Sequence, residues 1–265
     1  MSDTETSNTP LFQVDRQHQI YLLALKHGSV DVSELAQRFD VTTETIRRDL
    51  SDLQENQLVR RVHGGAVLVE RRTHEPMLEA RGVQNAVEKL AIAQLAIAEV
   101  PAGGTVIIDS GTTGLRFAEV MPVDPGTHVT TNSLVTGLTL ARRGFSDVFV
   151  VGGTVTTNTY AMVDAPAIEA VRNMHVDVLF ISCDGLSFQR GLTTPYRHEF
   201  HMKQAMIQSA RRVVALVDQS KFGNDQTFCF VPFKDIDVLI TDARATDDEV
   251  QILTEAGVEV RRATS

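Results

Sequence analysis

The sequence predicts an α/β protein in two parts, an N-terminal winged helix-turn-helix followed by a mainly parallel α/β domain. Three observations predict it. Residues 15 to 68 carry three helical patterns separated by short breaks, then a short pair of strands. Residues 100 to 265 alternate apolar runs of four to seven residues with helical stretches. Four arginines crowd into VTTETIRRDLSDLQENQLVRRVHGGA, Val41 to Ala66, in a chain of formal net charge -9.

At 265 residues, 43% hydrophobic and 22% charged, the chain has apolar material for one sizeable core and a smaller one. The opening MSDTETSNTP is polar and acidic, so residues 1–14 read as a flexible tail rather than a secretory or organelle leader. Even the apolar segment from Leu90 to Val100 is broken by Gln94 and Glu99, which argues against a membrane partner and for a cytoplasmic location. Cys183 and Cys229 fall in runs that read as buried strands, with no CxxC or Cys/His ligand spacing. They suit a reducing compartment, and no metal or cofactor is expected.

Ile20, Leu23, Ala24 and Leu25 give the first helix, about Asp15 to His27, its core face, and Gly28 ends it. Val32 opens a short amphipathic helix through Leu35, Ala36 and Phe39, and Asp40 and Val41 turn the chain. Thr42 is a good N-cap for the third helix, where Ile46, Leu50 and Leu53 form the buried stripe. At 100° per residue, Glu44, Arg47, Arg48 and Ser51 then face outward. A tight helix pair whose second member carries an outward basic face is the arrangement that sets a recognition helix in the major groove.

LVRRVHGGAVLV reads as two strands around a Gly-Gly turn, with Arg60, Arg61 and His63 at the tips and Gly64 and Gly65 in the turn. These arginines would lie along phosphates, while Arg47 or Arg48, with Thr42, Thr43, Glu44 and Thr45 at the helix start, would reach base edges of an operator duplex. Nine Lys or Arg balance nine Asp or Glu from Leu11 to Arg72, so the negative charge falls on the remainder. The local field, not the total, governs DNA approach. The winged domain is assigned to residues 15–70 and a linker to 71–85, with the boundary near 75; the second domain takes 86–265.

In that second domain TVIIDS, HVTTNS, DVFVVGG, DVLFISCDG, RVVALVDQSK and DVLITD read as strands of a mainly parallel sheet, whose ligands gather at the C-terminal strand ends. The candidate effector site therefore draws on Asp109, Ser110, Gly111, Thr112 and Thr113; Thr131, Asn132 and Ser133; Gly152 and Gly153; Asp184 and Gly185; and Asp218 to Lys221. Gly111 to Thr113 at a helix start can offer amides and hydroxyls to an anion. Lys203 and Lys221 would add charge, and Asp109, Asp184 and Glu199 suit sugar hydroxyls. The combination favours a phosphorylated sugar or polyol.

The run from Gly28 to Ala66 closely resembles the N-terminal domain of the DeoR/GlpR family of bacterial transcriptional regulators. Thr45-Ile46-Arg47-Arg48-Asp49-Leu50 and Arg61-Val62-His63-Gly64-Gly65-Ala66 match its pattern, with Thr42 where the family usually has Ser. The second half resembles the family too, at Asp109 to Thr113, Thr131 to Ser133, Gly152 and Gly153, Gly191 to Thr194 with Glu199 and Lys203, and Asp218 to Lys221. The resemblance implies a C-terminal domain similar to ribose-5-phosphate isomerase that senses a phosphosugar. It also implies a non-enzymatic repressor of a sugar or polyol uptake and catabolism operon, acting as a homo-oligomer, dimer or tetramer, on palindromic or repeated DNA. Asp164 departs from the family, which often has Gly there.

The residues also admit two other readings. A phosphosugar isomerase with a DNA-binding appendage needs a carboxylate base and an acid. Asp184-Gly185-Leu186-Ser187 keeps only the first of the isomerase's two aspartates, and Arg190 stands where a lysine is usual. A metal sensor would use His198 and His201, at i and i+3 beside Glu199.

Overall fold

The computed structural model describes residues 13–55, 58–68 and 77–264. The chain divides into two compact units, Met1–His74 and Glu75–Ser265.

In the first unit, α1 (Gln13–His27) buries Ile20 and Ala24 completely, with Leu23 half-buried; the side chain of Leu25 lies outside the described residues. Gly28 follows at φ +76°, its N–H on the Ala24 carbonyl. β1 (Ser29–Asp31) leads into α2 (Val32–Phe39), whose first amides are capped by Asp31. Asp40 in the left-handed region turns the chain into α3 (Thr43–Glu55). Ile46, Leu50 and Leu53 are at most 4% exposed, each contributing about 1.5 to 3 kcal/mol of burial.

The wing differs from the expected strand pair. β2 (Val59–Val62) and β3 (Gly65–Leu68) form a hairpin whose turn is His63–Gly64, and β1 pairs antiparallel with β3 to make a third strand. Gly65 is already in the sheet, because a Cβ there would lie 2.0 Å from the Val30 carbonyl oxygen. Three residues, Ser-Val-Asp, are too few to show alternation, which is why β1 was not legible.

The second unit opens with α4 (Leu78–Val83) and α5 (Ala86–Ala96), so part of the stretch expected to be a linker, 71–85, is helical; residues 71–76 lie outside the described residues, as do 1–12 of the expected tail. β4 (Thr105–Ile108), α6 (Thr112–Val120), β5 (His128–Thr131), α7 (Leu134–Arg143), β6 (Val148–Val150), α8 (Ala165–Arg172) and β7 (Val176–Ile181) follow. Then come β8 (Gly185–Ser187), β9 (Gly191–Thr194), α9 (Arg197–Ser209), β10 (Ala210–Leu216), β11 (Phe228–Val231), β12 (Val238–Thr241), α10 (Asp247–Glu255) and β13 (Glu259–Arg262).

All six expected strands lie in one seven-stranded parallel sheet, ordered β13-β12-β10-β7-β4-β5-β6. β13 is the seventh, an edge strand whose Glu-Val-Arg-Arg carries no apolar run because its outer side is unpaired. Alternation splits the core between the faces. Val106, Ile108, Phe180 and Leu216 pack with Ile92, Phe117 and Leu140 on one side; Ile107, Leu179, Ala215 and Leu239 pack with Val171, Met202, Met206 and Leu253 on the other.

A small antiparallel sheet, β11-β9-β8, was not expected; its strands of three and four residues include Gly185 and Gly191 and read as loops. Of the two cysteines expected to be buried, only Cys229 departs from expectation. Cys183 lies just beyond β7 and is buried, and Cys229 is half-buried in β11.

Candidate functional site

On the first unit, Thr42 accepts the Thr45 amide at 3.1 Å and caps α3, its hydroxyl also 2.9 Å from that of Thr45. Thr43, Glu44, Arg47, Arg48, Arg60, Arg61 and His63 are exposed. Arg47 is 53% exposed and only loosely paired, at 3.5 Å, with Glu44. Arg61 is braced against the recognition helix: its guanidinium donates to Ser51 Oγ at 2.9 Å and its amide to Gln54 Oε1 at 2.9 Å. These bonds tie the wing to the helix that carries Arg47 and Arg48. Gly64 and Gly65 shape it through backbone alone, Gly64 at φ +82° with its carbonyl accepting the Val32 amide.

One charged residue of TIRRDL faces inward beside Ile46 and Leu50. Asp49 is 1% exposed and takes Arg16 of α1 in a two-pronged pair, Nε to Oδ2 at 2.6 Å and Nη2 to Oδ1 at 3.1 Å. Gln13 and Gln17 also bond the acidic side of α3 at Asp52. This clamp ties α3 to α1. Its signal in the sequence is that Asp49, three residues from Ile46, shares the buried side of the helix.

In the second unit the strand order reverses between β4 and β7, the switch point at which open α/β sheets hold ligands. The loops after these strands meet there. Asp109 Oδ2 accepts from Ser182 N at 3.2 Å, Ser182 Oγ at 3.3 Å and Lys203 Nζ at 2.6 Å, whereas Asp109 Oδ1 is buried with no hydrogen-bond partner among the described residues. Burial alone would lower the Lys203 pKa, but the carboxylates of Asp109, Glu199 and Asp184 outweigh it and hold the ammonium charged. Gly111, at φ +120° and with a Cβ position only 3.0 Å from Ser182 Oγ, lets the loop enter α6 without a side-chain cap. The first amides of that helix are left for an anion.

Beside that helix start, Arg81, Gln84, Asn85, Lys89, Thr112, Thr113, Ser182, Cys183, Asp218 and Lys221 line a polar cleft whose free volume is only about 20 Å³. Lys89 is 4% exposed, its Nζ donating to the carbonyls of Arg81 at 2.6 Å and Gln84 at 2.7 Å. Burial pushes its pKa down to about 8 despite the opposing charge of Asp218. Asp184 is partly buried, and desolvation alone would raise its pKa, but Arg81 at 2.9 Å, Lys203 and the Thr194 hydroxyl at 2.8 Å hold it below the usual carboxylate range.

Of the expected effector residues, Thr112, Thr113, Asp218 and Lys221 reach the cleft. Others build the wall behind it. Asn132 accepts the Ser110 amide at 2.9 Å and donates to the Met162 carbonyl; Thr131 Oγ1 accepts the Ser133 amide; Ser133 caps α7; Glu199 accepts from Thr194. Gly185 lies within β8. Gly153 lies against Asp164, which accepts the Thr154 amide at 2.7 Å and caps α8, so Asp164 ties the loop after β6 to the next helix. These bonds hold the Asp164 carboxyl below its ordinary range.

Arg81 and Asn85 escape notice because the stretch before α5 reads as linker, and Lys89 because it lies in a run that reads as an apolar helix. The paired histidines make ring contacts instead of converging: His198 stacks on Tyr196 and His201 lies edge-on to Phe200.

The pattern described as the DeoR-like helix-turn-helix domain matches residues 16–72, and the DeoR C terminal sensor domain matches residues 84–243. The HTH-type transcriptional regulator GolR of Listeria innocua is 32% identical, covering 95% of this chain and 99% of that protein. GlpR of Haloferax volcanii is 33% identical over 94% of this chain and 98% of its own. The glycerol-3-phosphate regulon repressor of Escherichia coli K12 is 28% identical, over 94% and 98%. Ribose 5-phosphate isomerase A from Neisseria gonorrhoeae matches 51% of this chain and 52% of its own, at 16% identity and a TM-score of 0.36, too distant to carry an argument. Among the described residues no helix is long and apolar enough to cross a membrane. Two domain patterns in series, matched along nearly the full length of named regulators, mean that the chain belongs to the DeoR family of helix-turn-helix transcriptional regulators.

Proposed function

We propose that the protein represses a sugar or polyol uptake and catabolism operon in the cytoplasm, and that a phosphorylated sugar in the second unit releases it from its operator. The observation that carries the effector is the pairing, at one switch point, of an uncapped helix start flanked by Lys89 and Lys221 with the partnerless buried oxygen of Asp109. The first suits a phosphate and the second a hydroxyl. One winged module neutralises too few phosphates for typical operator affinity, so a dimer or tetramer on paired half-sites is part of the proposal. Gel shifts on the gene's own upstream region, with and without glycerol 3-phosphate and fructose phosphates, test it. Failure to prefer that region over random DNA at moderate salt would sink the repressor reading.

Arg47→Ala and Arg48→Ala are expected to cost roughly 1 to 3 kcal/mol of operator discrimination, whereas Arg60→Ala should weaken operator and random DNA alike. Competition binding separates the two, and equal losses in all three variants would refute the division.

Lys89 gives the effector site a pH signature. In the ligand-free protein its charge is half lost at about pH 8. A phosphate dianion favours the charged form, so affinity should be level from about pH 7 to 8 and then fall by up to roughly tenfold per pH unit. Calorimetry in buffers of different ionisation enthalpy should register proton uptake near pH 8, and Lys89→Met should remove it. An affinity that stays flat well above pH 8 would exclude Lys89 from the anion site.

A further inference from the structure

The cleft holds its own chain. Arg81 Nη2 bonds Asp184 Oδ1 at 2.9 Å, both side chains under 20% exposed. Asn85, in the left-handed region at φ +53°, donates Nδ2 to Asp218 Oδ1 at 2.9 Å and to Ser220 Oγ at 3.1 Å, while Arg244 donates to its Oδ1 at 3.2 Å. Lys89 takes the last carbonyls of α4, and Leu78, 5% exposed, bonds the Asn158 carbonyl at 2.8 Å. Two carboxylates at the strand ends are thus engaged by one short segment, which opens the described part of the second unit.

We propose that the segment from α4 to Asn85 is a resident competitor of the effector: Arg81 on Asp184 and Asn85 on Asp218 stand where hydroxyl donors of a bound polyol phosphate belong, and the effector expels them. The inference rests on the sugar-phosphate reading of this cleft. It makes Arg81 and Asn85 determinants of specificity, because a ligand must supply two hydroxyl donors besides its anion to replace them. Inorganic phosphate meets only the anion requirement, at the α6 start with Lys89 and Lys221, and leaves the segment in place. A polyol phosphate frees it and changes the restraint on the chain leading to the first unit. Coupling then follows from differential affinity for the held and freed states.

The test uses the full chain with inorganic phosphate, glycerol 3-phosphate and fructose phosphates. Amide exchange over residues 78–89 should rise on adding the bound polyol phosphate and stay level with inorganic phosphate. Arg81→Ala removes the competitor, so it should bind that polyol phosphate about tenfold more tightly, exchange faster over the same amides without ligand, and hold operator less well. Asn85→Gly, which keeps the left-handed backbone, should act in the same direction and guards against a folding defect in the first variant. Asp184→Asn should loosen the segment yet weaken the polyol phosphate, a combination that a purely structural ion pair does not give. If both Arg81→Ala and Asn85→Gly bind no tighter than wild type, or ligand leaves exchange over 78–89 unchanged, the competitor is refuted while the sensor reading stands. If wild type binds none of the sugar phosphates, both fall.

Discussion

Replacing Lys203 by methionine is expected to destabilise the second unit by about 3 to 5 kcal/mol. The ammonium lies 2.6 Å from Asp109, with the two side chains 5% and 2% exposed. Methionine fills a similar volume but strands the carboxylate, whose Oδ1 already lacks a partner. Lys203 also donates to the Ser182 carbonyl at 3.0 Å, so one residue ties the end of β7 to the end of β4 where the strand order reverses. The transition of the second unit should therefore move to lower temperature and lower urea, and effector binding should weaken with it. Pairing Lys203→Met with Asp109→Asn is the control. With no stranded charge, most of the lost stability should return, although the site stays defective because its acceptor has changed. If Lys203→Met unfolds like wild type, the pair contributes no net stability and the lysine is held for the ligand alone.

Much of this architecture was legible because the relevant signals are local and repetitive. Ile46, Leu50 and Leu53 repeat at helical spacing, and the runs of the central strands β4, β7, β10 and β12 are largely buried on both faces, so each is continuous enough to see. The strand-end loops were legible for the same reason: a parallel strand ending in Asp-Ser-Gly-Thr-Thr announces where the chain turns. What escaped was non-local or short. β1, β8 and β9 have too few residues for a period, and β13 is an edge strand with charges. The roles of Arg81 and Asn85 depend on Asp184 and Asp218, more than a hundred residues away in sequence. Conversely, Asn132, Ser133 and Glu199, chosen as ligands for their chemistry, spend their hydrogen-bonding capacity on the scaffold. Residue type shows what a side chain can bond, and only the fold shows which bonds are already made.

Asp49→Ala is expected to unfold the first unit at moderate temperature without touching the second. The pair it breaks is the more demanding kind: Arg16 is 11% exposed at its side chain and Asp49 1%, so the variant removes the carboxylate that balances a buried guanidinium, at a cost of about 3 to 5 kcal/mol. A unit of this size buries little surface and has little stability in reserve, so that loss consumes most of it. Calorimetry should show the first transition displaced or missing while polyol phosphate binding persists. Asp49→Asn keeps an acceptor for Arg16 and should lose less. The position is informative because Asp49 sits between Arg48, which faces outward, and Leu50, which is buried; a helix rotated by one residue would turn the acid toward phosphates. Operator affinity should therefore fall in proportion to the unfolded fraction and recover on cooling. A variant that is fully folded yet fails to bind operator would place Asp49 at the DNA and show that α3 is turned otherwise than described.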